Sequence, residues 1–389
     1  MLQTIVIYGV VFLLMILLAV LYSESKSRRV LSNPYIICII ILYTLVFGLR
    51  YDVGVDYVAY LKAFLYVRHH PSVMVFREPL WVGFMLLLHK FDAHYTVFFM
   101  AIAFVQILFL CKAFTINKKL FPYFIFIFFA CGYFLMFQNT MRQCVAFSIM
   151  LCVLMHQPEI SFLKYLLLAL CLSLIHISAF FIVILYPLFR YDRFFIKSTF
   201  LRVAVYVGAV VIGYSFHVFD FLVNTNIFVL ALDSTEYSNY KHTLDMGMER
   251  TFGAGYIVKI LINCVIFYYA NVVCRFFTKE KGFKRWLNIY YFGSVLFVMF
   301  PTNMLIQRLN DYLLIWAIPV FAYFCYFVIK TKVRRQSLIK QLGYVCIIGL
   351  VLLNLNTMLI KPAGMHSFYH FWTETPYPGY EYYFNKNHK

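Results

Sequence analysis

Long apolar runs recur along the whole chain, separated by short polar stretches that carry most of its lysines and arginines. Runs of about 18 or more apolar residues are the pattern of bilayer-spanning helices. A transmembrane barrel would instead alternate apolar and polar residues in segments of about ten, and no such alternation is present. The expected elements are helices at Ile5–Tyr22, at Pro34–Leu49, and near Val203–Phe221, Tyr256–Cys274, Leu287–Met304, Arg308–Ile329 and Gln341–Ile360. Two places break the regularity. Pro79–Phe91, about 13 residues, covers about 20 Å against a hydrocarbon core of roughly 30 Å, so it is expected to be re-entrant or interfacial. Lys164–Phe189 is expected to split into two short helices meeting at Ile175–Ser178. With these breaks the chain makes roughly twelve crossings. The fold class is all-α, a polytopic membrane protein forming one transmembrane domain over residues 1–389. Broken helices are tolerated only where they are buried in protein or line a watery cavity, so this reading requires such a cavity.

Composition supports the pattern: 63% of the residues are hydrophobic, 21% aromatic and only 13% charged, which excludes an ordinary aqueous globular domain. The net charge of +18 arises from 34 Lys+Arg against 16 Asp+Glu. Its clustering between apolar runs is the positive-inside signature, not a nucleic-acid groove. Four clusters are assigned to the cytoplasm: Lys26/Arg28/Arg29, Arg190/Arg193/Lys197/Arg202, Arg275/Lys279/Lys281/Lys284/Arg285, and Lys330/Lys332/Arg334/Arg335/Lys340. The first run is followed, not preceded, by basic residues, so it is expected to be a retained helix rather than a signal peptide. Outside the membrane lie a first loop over residues 50–78, a second over 222–255 and an aromatic tail over 361–389. The ten cysteines sit within or at the ends of apolar runs, without CxxC spacing, and are expected to be core residues rather than disulfides or metal ligands.

The topology sends a set of ionisable residues to the outer face, where charges near membrane depth mark a functional pathway. Asp52 and Asp56 would share a helix face four residues apart and require a cation, a proton or a substrate donor between them. Equally, they would serve as an acidic cap with Arg50 as counter-ion. Glu78-Pro79 is good helix-start chemistry, but Arg77 beside it calls for an anion. Gln138 and Arg142, one helical turn apart, would offer several donors to one point, and Arg is the preferred ligand for phosphate oxygens. No acidic residue in the surrounding segment neutralises Arg142. His176 stands at the expected helix break, while Arg308 and Tyr312 share a face at the outer end of a span. Gly253-Ala254-Gly255, flanked by Arg250 and Lys259, lacks the third glycine and preceding strand of a nucleotide fingerprint and reads as a turn. Outer-loop aromatics would stack on sugars, or form an interfacial belt.

In order along the chain, Arg50…Gly54-x-Asp56-x-x-x-Tyr60, Glu78-Pro79-Leu80, Asn139-x-x-Arg142-Gln143-x-x-Ala146, His176-x-Ser178-Ala179, Arg308-x-x-x-Tyr312 and Pro376-Tyr377 resemble the EpsG family of bacterial membrane proteins, relatives of the Wzy-type polysaccharide polymerases. The resemblance implies a fold like the C-type membrane glycosyltransferases, with short broken helices around an outward-facing cavity. It implies an enzyme of the bacterial plasma membrane that joins undecaprenyl-diphosphate-linked oligosaccharide repeats into O-antigen, capsule or exopolysaccharide. The expected catalytic residues are Asp56 and Asp52, then Glu78 and His176. The expected diphosphate ligands are Arg142 and Arg308, with Arg50, Arg77, Gln143 and Tyr312. Arginines supply the positive charge, so no metal or other cofactor is expected. The expected partners are the lipid-linked oligosaccharide, membrane lipid and a chain-length regulator protein, and no nucleic acid. A flippase for the same lipid would carry its charges among its helices, usually on two related halves. An O-antigen ligase would need the same chemistry.

Overall fold

A computed structural model describes residues 2–26, 32–54, 56–68, 78–215, 253–277, 282–300, 304–330 and 337–360. The expected elements at Arg77, Arg250, most of the second loop, and the aromatic tail with Pro376-Tyr377 lie outside these residues. Among the described residues the chain is helical, without strands. The first half comprises α1 (Leu2–Glu24), α2 (Pro34–Gly48), α3 (Tyr57–Val67), α4 (Pro79–Lys90), α5 (Tyr95–Phe114), α6 (Phe121–Ala130), α7 (Tyr133–Asn139) and α8 (Met141–His156). Next come α9 (Phe162–Ser173), a 3-10 segment (Ile177–Leu185), α10 (Tyr186–Arg190) and α11 (Thr199–Ser215). The rest is α12 (Ala254–Phe276), α13 (Phe283–Met299), α14 (Met304–Leu314), α15 (Ala317–Lys330) and α16 (Ser337–Ile360).

Five described helices are long and apolar enough to cross a membrane: Thr4–Glu24, Tyr95–Phe114, Ala254–Phe276, the α14–α15 path Ile306–Lys330, and Leu338–Leu355. A sixth crossing results if the bent pair Lys118–Ala130 and Tyr133–Asn139 is one span. Length and composition thus support five or six crossings among the described residues, and not the roughly twelve expected. Pro34–Gly48, Met141–His156, Phe162–Ser173 and Thr199–Ser215 are apolar but shorter. Capping and glycine chemistry explain several ends. Asn33 accepts the Tyr35 amide at 3.0 Å and Pro34 opens α2, a favourable pairing of N-cap and first-turn proline. Gly132, at φ +74°, makes the 62° bend between α6 and α7, a backbone region that costs glycine little.

Two apolar cores hold the bundle. The larger joins α1, α2, α5–α16 and the 3-10 segment. The smaller is aromatic, with Tyr57, Phe64, Trp81, Phe98 and Phe99 packed between α3, α4 and α5. Leu13, Leu17, Leu167, Val211 and Leu352 face outward, as expected of residues facing lipid rather than water. All ten cysteines are free; Cys38 and Cys171 are exposed, so the expectation of core residues fails for these two. Among the described residues several lysines and arginines are held together at one end of the bundle. Lys118 bonds Ser25 beyond the end of α1, Arg285 donates to the Pro158 carbonyl at 2.5 Å, and Arg190 donates to Glu159 at 3.2 Å. Arg142 lies in the first turn of α8 and Pro158 just past its last, so the candidate site occupies the opposite end.

Candidate functional site

Three interruptions in the helices meet at that opposite end. The first is the start of α4, where Glu78 occupies the N-cap position without a capping side-chain bond. The second is Thr140, which separates α7 from α8. The third is His176, in extended backbone between α9 and the 3-10 segment, inside the break expected at Ile175–Ser178. The amide of Leu80 donates to the Leu174 carbonyl at 3.0 Å, fastening the first interruption to the third.

Glu78 is the centre of the site. One carboxylate oxygen accepts from His176 Nδ1 at 2.7 Å and from the Ile177 amide at 3.2 Å, while the other pairs with the Arg142 guanidinium. Its side chain is 8% exposed. Burial alone would raise its carboxyl, but the His176 hydrogen bond, Arg142 and the Ile177 amide outweigh burial and hold it below the ordinary carboxylate value. Tyr60 completes the group, its ring centre 5.6 Å from the Arg142 guanidinium carbon. The apparent lack of an acid for Arg142 is thus corrected: Glu78 neutralises it across 64 positions of sequence. Arg142 nevertheless keeps 37% of its side chain exposed.

Gln138 does not converge with Arg142. The break at Thr140 ends the helical register between them, and Gln138 is buried, donating to the Phe134 carbonyl and accepting from Tyr8. Arg50 is buried too. It donates to the carbonyls of Phe47, Val53 and Gln138 and lies 5.2 Å from the Phe99 ring centre. It therefore clamps the 50–54 turn onto the end of α7, in place of the expected role as counter-ion to the aspartates. Gly54 has φ +101°, and a Cβ there would stand 2.3 Å from Asn139 Oδ1, so this turn requires glycine.

The aspartates do not share a helix face, because α3 begins only at Tyr57. Asp52 is in the left-handed region at φ +48°, and burial pushes its carboxyl up from the ordinary range. Asp56 occupies the α3 N-cap position with no capping bond, one turn before Tyr60. Gln143 donates its amide to the Arg308 carbonyl at 2.6 Å, seating α14 beside α8 next to Arg142. Tyr312, fully buried, shares a 3.1 Å hydroxyl contact with Ser178. Asp311 has Arg308 and Lys259 as electrostatic neighbours. Gly255 falls in the first turn of α12 rather than in a turn of its own.

Sequence reasoning left Tyr60 and Ser178 without roles. The i, i+4 spacing of Asp56 and Tyr60 could have drawn attention to the tyrosine. No signal within the chain pairs Ser178 with Tyr312. The arrangement offers a carboxylate-oriented imidazole and, on the same carboxylate's other oxygen, a part-exposed guanidinium, groups able to take a proton and to hold an anion. No curated protein and no solved structure matches the chain. A family model does match, over residues 33–362, and by that match the chain belongs to the EpsG family of Wzy-like polysaccharide-polymerase-type membrane proteins.

Proposed function

We propose that this protein is a membrane glycosyltransferase that polymerises undecaprenyl-diphosphate-linked oligosaccharide repeats on the outer side of the bacterial plasma membrane. The single observation that carries the reading is the meeting of His176, Glu78 and Arg142 at three helix interruptions. The growing chain on its lipid diphosphate is the donor, and the terminal sugar hydroxyl of a fresh repeat is the acceptor. His176, its Nδ1 proton held on Glu78, takes the acceptor proton at Nε2. The acceptor oxygen bonds the anomeric carbon as the bond from that carbon to the phosphate oxygen breaks. The electron pair leaves on the diphosphate, where Arg142 and Arg308 meet the developing charge. Glu78 then balances the imidazolium. Asp56, uncommitted to a cap, is the second base to test, and Asp52 the third. Arg50 and Gln143 position backbone rather than touch substrate, and Tyr312 holds the His176 segment through Ser178.

The test is a polymer assay in cells lacking their own polymerase. Arg142→Lys keeps the charge but loses the planar fork, and His176→Gln keeps polarity but loses the base. Arg142→Lys should cut polymer by about ten- to hundredfold, as expected for one lost charge-assisted bond, and His176→Gln by about a hundredfold or more, as expected for a lost general base, with single lipid-linked repeats accumulating on the outer leaflet. Polymer at the wild-type level from both variants would reject the reading.

A further inference from the structure

The far end of the bundle carries a second organised cluster, one that polymerisation does not use. Two basic clusters separated by about eighty residues of sequence, one around Lys197 and one around Arg275 and Lys284, fold around a single cavity of about 450 Å³. Its walls also include Asp192, Phe277 and Gly282. Among the described lining residues the cations Lys197, Arg275 and Lys284 face one carboxylate, Asp192. The cavity is built rather than incidental. Buried Arg202 donates to the carbonyls of Phe267 and Ile196 and to Asn271 Oδ1. Asn271 in turn donates to the Lys197 carbonyl at 3.0 Å. That framework fixes the wall and leaves the outer cations for a ligand. Gly282, at φ +109°, is the N-cap residue of α13 and has no side chain to cap it, so the first turn of a 17-residue helix opens at the same place.

We propose that this cavity binds the phosphate headgroup of an anionic phospholipid. Arginine and lysine beside a helix start are a phosphate-binding set. The volume lies in the range of small-molecule sites and is far larger than one phosphate ion fills, since a water occupies about 30 Å³. Phe194, Phe277 and Phe283 supply apolar wall for the glycerol part of a lipid. Helix α13, with 17 residues, sets the cavity roughly 25 Å from the Arg308 end. It is thus a different site from the His176 cluster.

The experiment uses the purified full-length protein in neutral detergent, with three probes: phosphatidylglycerol, phosphatidylcholine and inorganic phosphate. Lipid retention is read by native mass spectrometry and stability by thermal unfolding. Phosphatidylglycerol should be retained and should raise Tm, phosphatidylcholine should do neither, and inorganic phosphate should compete only weakly. Arg275→Gln with Lys284→Gln should weaken phosphatidylglycerol binding by about tenfold or more. Should the double variant not fold, Lys197→Gln alone and the salt dependence of wild-type binding carry the test, both expected to show weaker retention. Retention that does not distinguish the two lipids, or that survives the substitutions unchanged, overturns the proposal. Stabilisation by inorganic phosphate equal to that by phosphatidylglycerol assigns the cavity to a free phosphate and overturns the lipid assignment.

Discussion

At the residue scale the behaviour of the site turns on Glu78, whose two oxygens are both engaged, one by His176 and one by Arg142. Because its folded value lies below the ordinary 4.5, the ionised form is the one that the fold favours. Its contribution to stability is therefore complete above about pH 4.5 and is lost as pH falls through the lower folded value. Glu78→Gln should cost about 1–3 kcal/mol at neutral pH, since it removes the charge that balances Arg142 and sets an NH2 donor against either Arg142 or the His176 proton. Thermal unfolding of the two proteins from neutral to strongly acidic pH checks this. The gap should narrow below about pH 4.5, and a gap that stays constant into acid would contradict the assignment. The components of this group were legible in the sequence, since Glu78, Arg142 and His176 each stand out where an apolar chain turns polar. Their pairing was not. Helical periodicity relates residues a turn apart, whereas Glu78 meets Arg142 and His176 across 64 and 98 positions. The same blindness made Gln138 look like a partner of Arg142, because the break at Thr140 leaves no mark such as Gly or Pro.

At the element scale, close helix crossings decide which small residues matter. In α11 a Cβ on Gly213 would come 2.0 Å from the Val298 carbonyl oxygen and 2.8 Å from the Met299 Cα, both backbone of α13. Backbone cannot move aside as a side chain can, so Gly213→Ala must separate the two helices and should cost about 1–3 kcal/mol. Gly208, on the same helix, has open space where its Cβ would be. Gly208→Ala should be neutral or stabilising by up to about 1 kcal/mol through helix propensity. Thermal unfolding in detergent separates the two. Equal effects would show that propensity, not the α11–α13 crossing, sets the cost. Element positions themselves were largely legible from the apolar runs, and the break near His176 was legible from polar residues amid apolar ones. The bend at Gly132 was not, because a single glycine inside an apolar run is equally compatible with a straight helix.

At the scale of the whole molecule, the distribution of charge gives the bundle two unlike ends. Lys118, Arg190, Arg285 and the Lys197–Arg275–Lys284 cavity belong to one end. Arg50, Glu78, Arg142 and Arg308 belong to the other, where Arg50 is tied to carbonyls and Arg142 to Glu78, while the Arg308 carbonyl accepts from Gln143. This grouping was legible in the sequence because charge in short loops follows a sidedness rule that needs no tertiary information. The number of full crossings was not legible, since interrupted helices are individually too short to count by length. The rule places the lysine-rich end in the cytoplasm and the Glu78 end outside. Single-cysteine labelling in a cysteine-free background tests that placement. Gln138 is too deeply buried to serve as a reporter, so Asp56→Cys reports one end and Lys164→Cys and Lys197→Cys the other. A membrane-impermeant maleimide added to intact cells with a permeabilised outer envelope should modify position 56, and positions 164 and 197 only after the plasma membrane is opened. Labelling of 164 or 197 in sealed cells, with 56 protected, would invert the molecule. The Glu78 site would then face the cytoplasm, where the proposed polymerase of outward-facing repeats cannot work.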